Sequence, residues 1–196
     1  MRSNLNETQA KQIYQVKIVL IDTKPKIWRR LLVSSDILLV DLHRIIQTTM
    51  GWTNSHLHRF NDGVMDYSPK EFEVEDSIDS RKVKLKKILK KEGSKILYEY
   101  DFGDSWDHDI ILEKIITEDV KGQIPECMSG KGNCPPEDCG GTWGYMDLLK
   151  TISNPKHEDY KSMMDWLGGE FDPAFFDKEL INSQLKQKDF GCIWIE

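Results

Sequence analysis

The sequence predicts an α+β protein in which a mixed β-sheet is followed by a layer of about three helices. Two observations support this prediction: apolar residues alternate as in strands through the first part of the chain, and recur at helical spacing through the last part. Between these parts, the stretch 127–145 holds three of the four cysteines and five of the thirteen glycines. We expect residues 1–196 to form one domain. It would consist of a sheet-rich part at 13–116, a Cys/Gly/Pro-rich connection at 117–141 and a helical part at 142–188.

The sheet-rich part begins with a strand, strand, helix, strand order that is β-grasp-like. Residues 14–20 alternate apolar and polar side chains, and residues 27–33 form the returning strand of a hairpin. Apolar residues recur at helical spacing over 39–50, and Gly51 can supply the left-handed residue that ends this helix. The segment His56–Phe60 is the predicted third strand.

The strongest strand pattern is a second hairpin later in this part. Residues 95–102 and 106–114 flank Gly103–Ser105, which are turn-forming residues. Residues 65–80 are polar and acidic and are predicted to be a loop. A final edge strand is predicted at 190–195.

Three helical patterns follow the cysteine-containing stretch. The first has Thr142 as its N-cap and ends before Pro155. The second covers 160–167 and stops at a glycine pair. The third begins at Asp172–Pro173, a capping residue followed by a proline that suits the first helical position.

The composition limits the class of protein. A net charge of −6 argues against a surface that binds nucleic acid as a whole. The sequence has no run of about 18 apolar residues and no N-terminal apolar segment of a signal peptide, so we expect a cytoplasmic protein with reduced thiols and no membrane partner.

Several blocks of the sequence resemble one known family. The blocks are Trp28-Arg29-Arg30, Leu42-His43, Met50-Gly51-Trp52, the segment His56–Phe60, the segment Tyr100–His108, Cys134-Pro-Pro-Glu-Asp-Cys139-Gly-Gly and the segment Trp166–Pro173. Together, from about residue 13 to about 180, they resemble the plasmid pRi open-reading-frame-three-like family, also labelled passenger proteins of mobile elements. The resemblance implies a prokaryotic, cytoplasmic protein linked to plasmids and transposons by context, and it supplies no catalytic residues.

One candidate metal site consists of histidines. On a strand, His56 and His58 would share one face about 6.7 Å apart. His108, from the neighbouring hairpin, and the carboxylates of Asp101, Asp104 and Asp107 can complete a zinc or manganese site that activates a water for hydrolysis. The alternative is that this face belongs to the core.

The cysteines form a second candidate site. Cys127, Cys134 and Cys139 are spaced more widely than most zinc ligands, and a fourth ligand would have to come from Cys192 or a histidine. Two alternatives are a rigid loop with partly buried thiols and a disulfide between Cys134 and Cys139.

The Cys139-Gly140-Gly141 sequence lies directly before a predicted helix. A helix N-terminus favours an anion and lowers a thiol pKa, so Cys139 can be considered a nucleophile with His108 or His157 as its base. Alternatively, the two glycines permit a sharp connection into the helix.

Two basic segments are candidate sites for an anion or a nucleic acid. Eight of the fifteen residues in Arg81–Lys95 are Lys or Arg, which indicates either a short strand or helix with a solvated basic face, or contact with nucleic acid. In a strand, Trp28 and Arg30 share one face, and the arginine can bind an acidic partner or a phosphate. The alternative is an ordinary exposed pair.

We therefore expect a non-enzymatic binding or interaction protein whose ligand is a protein or a small molecule. The expected binding surface consists of Asp101, Asp104, Trp106, Cys139, Gly140 and Gly141. The alternatives are a metal-dependent hydrolase that uses His56, His58 and His108 and, below it, nucleic-acid binding through Arg81–Lys95.

Overall fold

A computed structural model describes residues 12–117 and 122–193 of the chain. Over these residues the chain forms one sheet of eight strands with five helices, which confirms the predicted α+β class. The strands are β1 (Ile13–Leu20), β2 (Trp28–Ser34), β3 (His58–Asn61), β4 (Asp66–Ser68), β5 (Ile78–Asp79), β6 (Lys95–Tyr100), β7 (Trp106–Ile116) and β8 (Glu126–Lys131). The helices are α1 (Leu39–Met50), α2 (Leu85–Ile88), α3 (Gly141–Ile152), α4 (Tyr160–Leu167) and α5 (Lys178–Gln184).

The neighbouring interior strands β1 and β7 are far apart in the sequence. The strand order is β5-β4-β3-β6-β7-β1-β2-β8, and every neighbouring pair is antiparallel except β4 with β5, so the sheet is mixed as predicted. Val16, Ile18 and Leu20 of β1 are buried, as the apolar–polar alternation of this strand indicates. The first hairpin and the hairpin of β6 and β7 are both confirmed.

Helix α1 has the predicted bounds. It ends at Gly51, whose φ of 106° is the left-handed conformation expected there. Leu42, Ile45 and Ile46 are fully buried and join the core built on β1 and β6. The order β1, β2, α1, β3 is also as predicted. The likeness to a β-grasp stays a prediction, since β6 and β7 separate β3 from β1.

Two predictions in the sheet-rich part are wrong. His56 lies two residues before β3, so His56 and His58 do not share one face of a strand. Residues 65–80 are not simply a loop, because Tyr67 and Ser68 of β4 pair in parallel with β5 and the Ser68 and Ser77 hydroxyls lie 2.8 Å apart.

Two of the predicted helix starts are also wrong. The N-cap of α3 is Gly140, in a left-handed conformation, rather than Thr142. Helix α5 starts at Lys178, after Asp177 accepts a hydrogen bond from the Leu180 N–H. Asp172 instead closes a tight turn by accepting the N–H of Ala174.

The second helix, α4, was predicted correctly, including its end at Gly168. The predicted edge strand at 190–195 is wrong where it can be assessed, because residues 190–191 belong to a short 3₁₀ helix; residues 194–195 lie outside the described part of the chain. None of the described helices combines the length and the apolar character needed to cross a membrane. The division of the chain into a single domain stays a prediction.

Candidate functional site

Three segments meet at one end of the sheet: the turn between β6 and β7, the segment that follows α1, and the loop that leads into α3. The turn is closed by Asp101, which accepts the Gly103 N–H at its side chain (2.9 Å) and the Ser105 N–H at its carbonyl (2.7 Å). Asp101 and Ser105 both have positive φ, 58° and 52°. The turn therefore has a defined shape and presents Asp104 outward.

The β6–β7 turn is in direct contact with the start of α3. The Gly140 N–H donates to Asp104 Oδ2 at 3.0 Å. A Cβ on Gly141 would lie 2.5 Å from the Asp104 carbonyl oxygen, and the φ of Gly141 is 66°. Only glycine fits both conditions without strain. The structure thus places three of the predicted surface residues, Asp104, Gly140 and Gly141, side by side.

Beside this contact is a cleft of about 500 Å³, which we call the Trp143 cleft. Its lining residues are Ile21, Asp22, Gly103, Asp104, Ser105, Asp107, Gly140, Gly141, Thr142 and Trp143. Trp143 is 89% exposed, although it is a large aromatic residue. Burial raises the pKa of Asp107, and the negative charges of Glu99 and Asp22 raise it further.

Two other residues of the predicted binding surface are placed differently. Trp106 is fully buried and packs near Trp52, with ring centroids 6.0 Å apart, so its place on a binding surface was predicted wrongly. Its position at the start of the central strand β7 directs it into the core. Cys139 is half-buried and lines a smaller groove of about 270 Å³ together with Trp166.

His56 lies among three carboxylates at the other side of the same turn. Its Nε2 atom is 3.1 Å from Asp138 Oδ1, 3.7 Å from Asp101 Oδ2 and 3.8 Å from Glu137 Oε2. Glu137 is itself held firmly, because its Oε1 accepts the Thr53 N–H (2.8 Å) and the Tyr100 hydroxyl (3.0 Å). The ring of His56 contacts the Tyr100 ring edge-on.

The other two predicted histidine ligands are core residues. His58 is buried and stacks on His43, with ring centroids 3.4 Å apart. Burial holds the pKa of His58 well below 6.5, with the neighbouring His43 as a second cause. His108 is fully buried beside Tyr98, and burial lowers its pKa to about 4. Both rings are therefore neutral at physiological pH.

The described residues contain one group of at least three metal-ligand side chains whose ligand atoms all lie within 4.8 Å of one another: His56, Asp101 and Asp138. The predicted combination of His56, His58 and His108 is thus not assembled. It fails because strand β3 directs His58 into the core while the bend before it leaves His56 near the surface.

All four cysteines are free thiols, so the alternative of a Cys134–Cys139 disulfide does not hold. Cys134 is buried near Arg29, and burial raises its pKa. Burial also raises the pKa of Cys139 to about 12, with Asp104 as a second cause. Its thiol is therefore protonated at neutral pH, which is the opposite of what a cysteine nucleophile needs. These thiols match the alternative of a rigid loop with partly buried cysteines.

The basic segment Arg81–Lys95 contains the short helix α2, so of the predicted strand and helix the structure has the helix. Half of its eight cations face carboxylates: Arg81 pairs with Asp79 and Glu71, Lys84 and Lys86 pair with Asp36, and Lys95 pairs with Asp109. Nucleic-acid binding by this run stays a prediction.

Sequence reasoning missed Asp22, Glu137, Asp138 and Trp143 as site residues. Glu137 and Asp138 lie inside the Cys134–Cys139 segment, in which the cysteines were the predicted ligands. Asp138 has a φ of 56°, a conformation in which Asp is several-fold enriched. Trp143 carried no signal in the sequence, because its exposure depends on which face of α3 packs against the core.

Comparison with known proteins matches residues 12–180 to the model of the family described as plasmid pRiA4b ORF-3-like protein. An uncharacterized protein y4hQ of Sinorhizobium fredii (strain NBRC 101917 / NGR234) is 36% identical over 185 residues, which cover 93% of this chain and 94% of that protein. The crystal structure of a protein of unknown function, MM3350 from Methanosarcina mazei Go1, superposes with a TM-score of 0.77 at 34% identity, covering 86% of this chain and 97% of that one.

Proposed function

The chain belongs to the plasmid pRiA4b ORF-3-like family, and we propose that it is a cytoplasmic, non-enzymatic binding module that takes a basic side chain of a protein partner into the Trp143 cleft. The observation behind this proposal is the charge of the cleft. Asp22, Asp104 and Asp107 all line it, and its described lining residues include no lysine or arginine. A cation is the ligand that such a cleft favours.

The pKa of Asp107 supports the same conclusion. Burial raises this pKa first, and Glu99, Asp22 and Asp109 each raise it further, whereas Arg59 lowers it. Glu99 is paired with Arg59 and Asp109 with Lys95, so the negative potential at the cleft comes from its lining residues Asp22, Asp104 and Asp107. A lysine or arginine from a partner would supply the missing positive charge.

Trp143 gives the cleft a second feature suited to a basic side chain. Tryptophan is the most favourable aromatic ring for a cation–π contact, which contributes about 0.5–1 kcal/mol at exposed sites and more when the cation is desolvated. Tryptophan is also enriched among the residues that dominate protein interfaces. Its 89% exposure beside three carboxylates therefore supports a protein interface rather than core packing.

The size and net charge of the protein support this occupant. A volume of about 500 Å³ accommodates a long side chain together with its flanking backbone. The net charge of −6 would attract a basic partner at long range. The four free thiols are in keeping with a reducing, cytoplasmic environment.

Binding of fluorescently labelled arginine-rich and lysine-rich peptides, measured by anisotropy at low and moderate salt, tests the proposal. We expect the purified chain to bind at least one of them, and the double variant Asp22→Asn/Asp107→Asn and the variant Trp143→Ala each to weaken binding at least about tenfold. Asp76→Asn is the matched control, because Asp76 is exposed, lies outside the cleft and has a backbone conformation that asparagine tolerates.

The control variant should bind like the unaltered chain. Failure of the unaltered chain to bind either peptide at low salt would refute the proposal. Equal weakening by Asp76→Asn and by the cleft variants would also refute it, since the attraction would then come from net charge alone.

A further inference from the structure

We infer that His56, Asp101 and Asp138 form a binding site for one divalent transition-metal cation, of the zinc or manganese class. This site is separate from the Trp143 cleft, and the inference does not depend on the proposed function. One imidazole nitrogen with two carboxylate oxygens is a ligand set that these ions accept, with water completing the coordination.

The distances fit a site that needs only a small contraction. The three ligand atoms lie within 4.8 Å of one another, and His56 Nε2 is already 3.1 Å from Asp138 Oδ1. Ligand atoms of a tetrahedral zinc are about 3.3 Å apart, given zinc–ligand bonds of about 2.0–2.1 Å. Asp138 can make the closing movement, because its side chain is 72% exposed.

A solvent-shielded nitrogen of His56 and a largely buried carboxylate of Asp101 face each other in this site. His56 Nε2 is shielded from solvent and makes no hydrogen bond. Asp101 is only 7% exposed; the Gly103 N–H occupies its Oδ1, and its Oδ2 faces His56 Nε2 from 3.7 Å, which is too far for a hydrogen bond. Buried polar atoms normally have partners, so the His56 Nε2 atom without a hydrogen bond indicates a ligand at this point.

Charge gives a third argument. Asp101, Glu137 and Asp138 bring three carboxylates within 4 Å of one ring nitrogen. A divalent cation at this point neutralises two of the three negative charges and gives His56 Nε2 a partner at the same time.

The surrounding contacts already orient two of the ligands. The left-handed conformation of Asp101 and its hydrogen bond to Gly103 fix which oxygen faces His56. The edge-on Tyr100 ring contacts the imidazole of His56, and the Tyr100 hydroxyl donates to Glu137. Such outer contacts fix the orientation of metal ligands and raise affinity. A bound cation would link the β6–β7 turn directly to the loop before α3.

Isothermal titration calorimetry on the full chain, first stripped with a chelator, tests this site with Zn²⁺, Mn²⁺, Mg²⁺ and Ca²⁺ in separate titrations. We expect about one equivalent of Zn²⁺ or Mn²⁺ to bind and to raise Tm, with little response to Mg²⁺ and Ca²⁺, because an imidazole ligand disfavours them. His56→Ala and Asp138→Asn should each weaken binding at least about tenfold.

Two controls make the experiment decisive. Asp138 is exposed, so Asp138→Asn should leave the metal-free circular dichroism spectrum and Tm unchanged; Asp165→Asn, on the exposed side of α4, and Cys134→Ser should both keep full metal affinity. The inference is overturned if neither Zn²⁺ nor Mn²⁺ binds, if His56→Ala and Asp138→Asn bind as tightly as the unaltered chain, or if Cys134→Ser abolishes binding. None of these outcomes bears on peptide binding at the Trp143 cleft.

Discussion

The neighbouring residues Arg29 and Arg30 show how strand geometry gives two identical side chains different roles. Arg29 is buried and donates to four backbone carbonyls, those of Trp28, Thr49, Lys131 and Gly132, at 2.6–3.0 Å. Arg30 points to the opposite face, where it shares a face with Trp28 as predicted and forms a two-pronged ion pair with Glu113. That pair occupies the guanidinium that was predicted to grip an external acidic group.

Arg29→Met should lower the free energy of unfolding by about 3 kcal/mol or more, because it leaves several buried carbonyls without a donor. Arg30→Met is the matched control and should cost less than about 1 kcal/mol, since it removes a partly exposed ion pair. Urea denaturation of the two variants measures both values. Equal losses would show that the four carbonyl contacts of Arg29 contribute little.

At the scale of residues, the sequence predicted which side chains are able to bind metal and failed to predict which of them are accessible. His56 and His58 differ by two positions, yet one faces carboxylates and the other stacks on His43 inside the core. The sequence contains no information on that difference, because it arises from a bend before β3 rather than from either residue. Asp138 was missed for the same reason: its role depends on a neighbour, His56, that is distant in the sequence.

At the scale of elements, α5 protects the edge of the sheet. Strand β8 is an edge strand, and its Cys127 is bonded on the outer side by the amide of Asn182. The Asn182 Oδ1 accepts the Cys127 N–H at 2.7 Å, and the Asn182 Nδ2 donates to the Cys127 carbonyl at 2.9 Å. One side-chain amide thus replaces one residue of a missing ninth strand and blocks pairing with another chain there.

Asn182→Ala should remove both hydrogen bonds and lower the free energy of unfolding by about 1–2 kcal/mol. Hydrogen exchange of the Cys127 amide should accelerate about tenfold or more, while amides of the central strand β1 change much less. Ser183→Ala, on the exposed side of the same helix, serves as the control. Unchanged exchange at Cys127 would contradict the proposed role of Asn182.

The elements that were predicted well are those defined by local patterns. Helix α1 and the β6–β7 hairpin combine clear periodicity with strong terminal signals, and their predicted positions are confirmed. The start of α5 was predicted at Asp172–Pro173 from a local capping pattern, but the helix begins at Lys178 and the Phe176 ring, before it, lies against the Arg29 guanidinium. The start of α3 was missed because Gly140 is fixed by Asp104, a contact between distant segments.

At the scale of the whole molecule, three buried histidines connect stability to pH. Burial lowers the pKa of His43 to about 3 and of His108 to about 4, and it holds the pKa of His58 well below 6.5. Below the usual value of 6.5, the unfolded chain therefore binds protons that the folded chain does not. Keeping these rings neutral therefore costs no stability above pH 6.5. As the pH falls from 6.5 toward the lower pKa values of the folded state, the free energy of unfolding decreases.

We expect the free energy of unfolding to fall by about 4 kcal/mol between about pH 7.5 and about pH 5.5, with each histidine contributing about 1.4 kcal/mol. His58→Phe should remove about one third of this dependence. Neither ring nitrogen of His58 has a hydrogen-bond partner, so phenylalanine sacrifices no hydrogen bond there. Urea denaturation at the two pH values measures the change, and an identical pH dependence in His58→Phe would exclude His58 as a contributor.

The interior position of β1 in the sheet has a consequence for the growing polypeptide. Strand β1 leaves the ribosome well before its partner β7, which ends only at Ile116. Until β7 emerges, β1 has an unpaired edge and its apolar face lacks part of its cover. Chains that terminate before β7 should therefore aggregate, and cooperative folding should await the synthesis of β7.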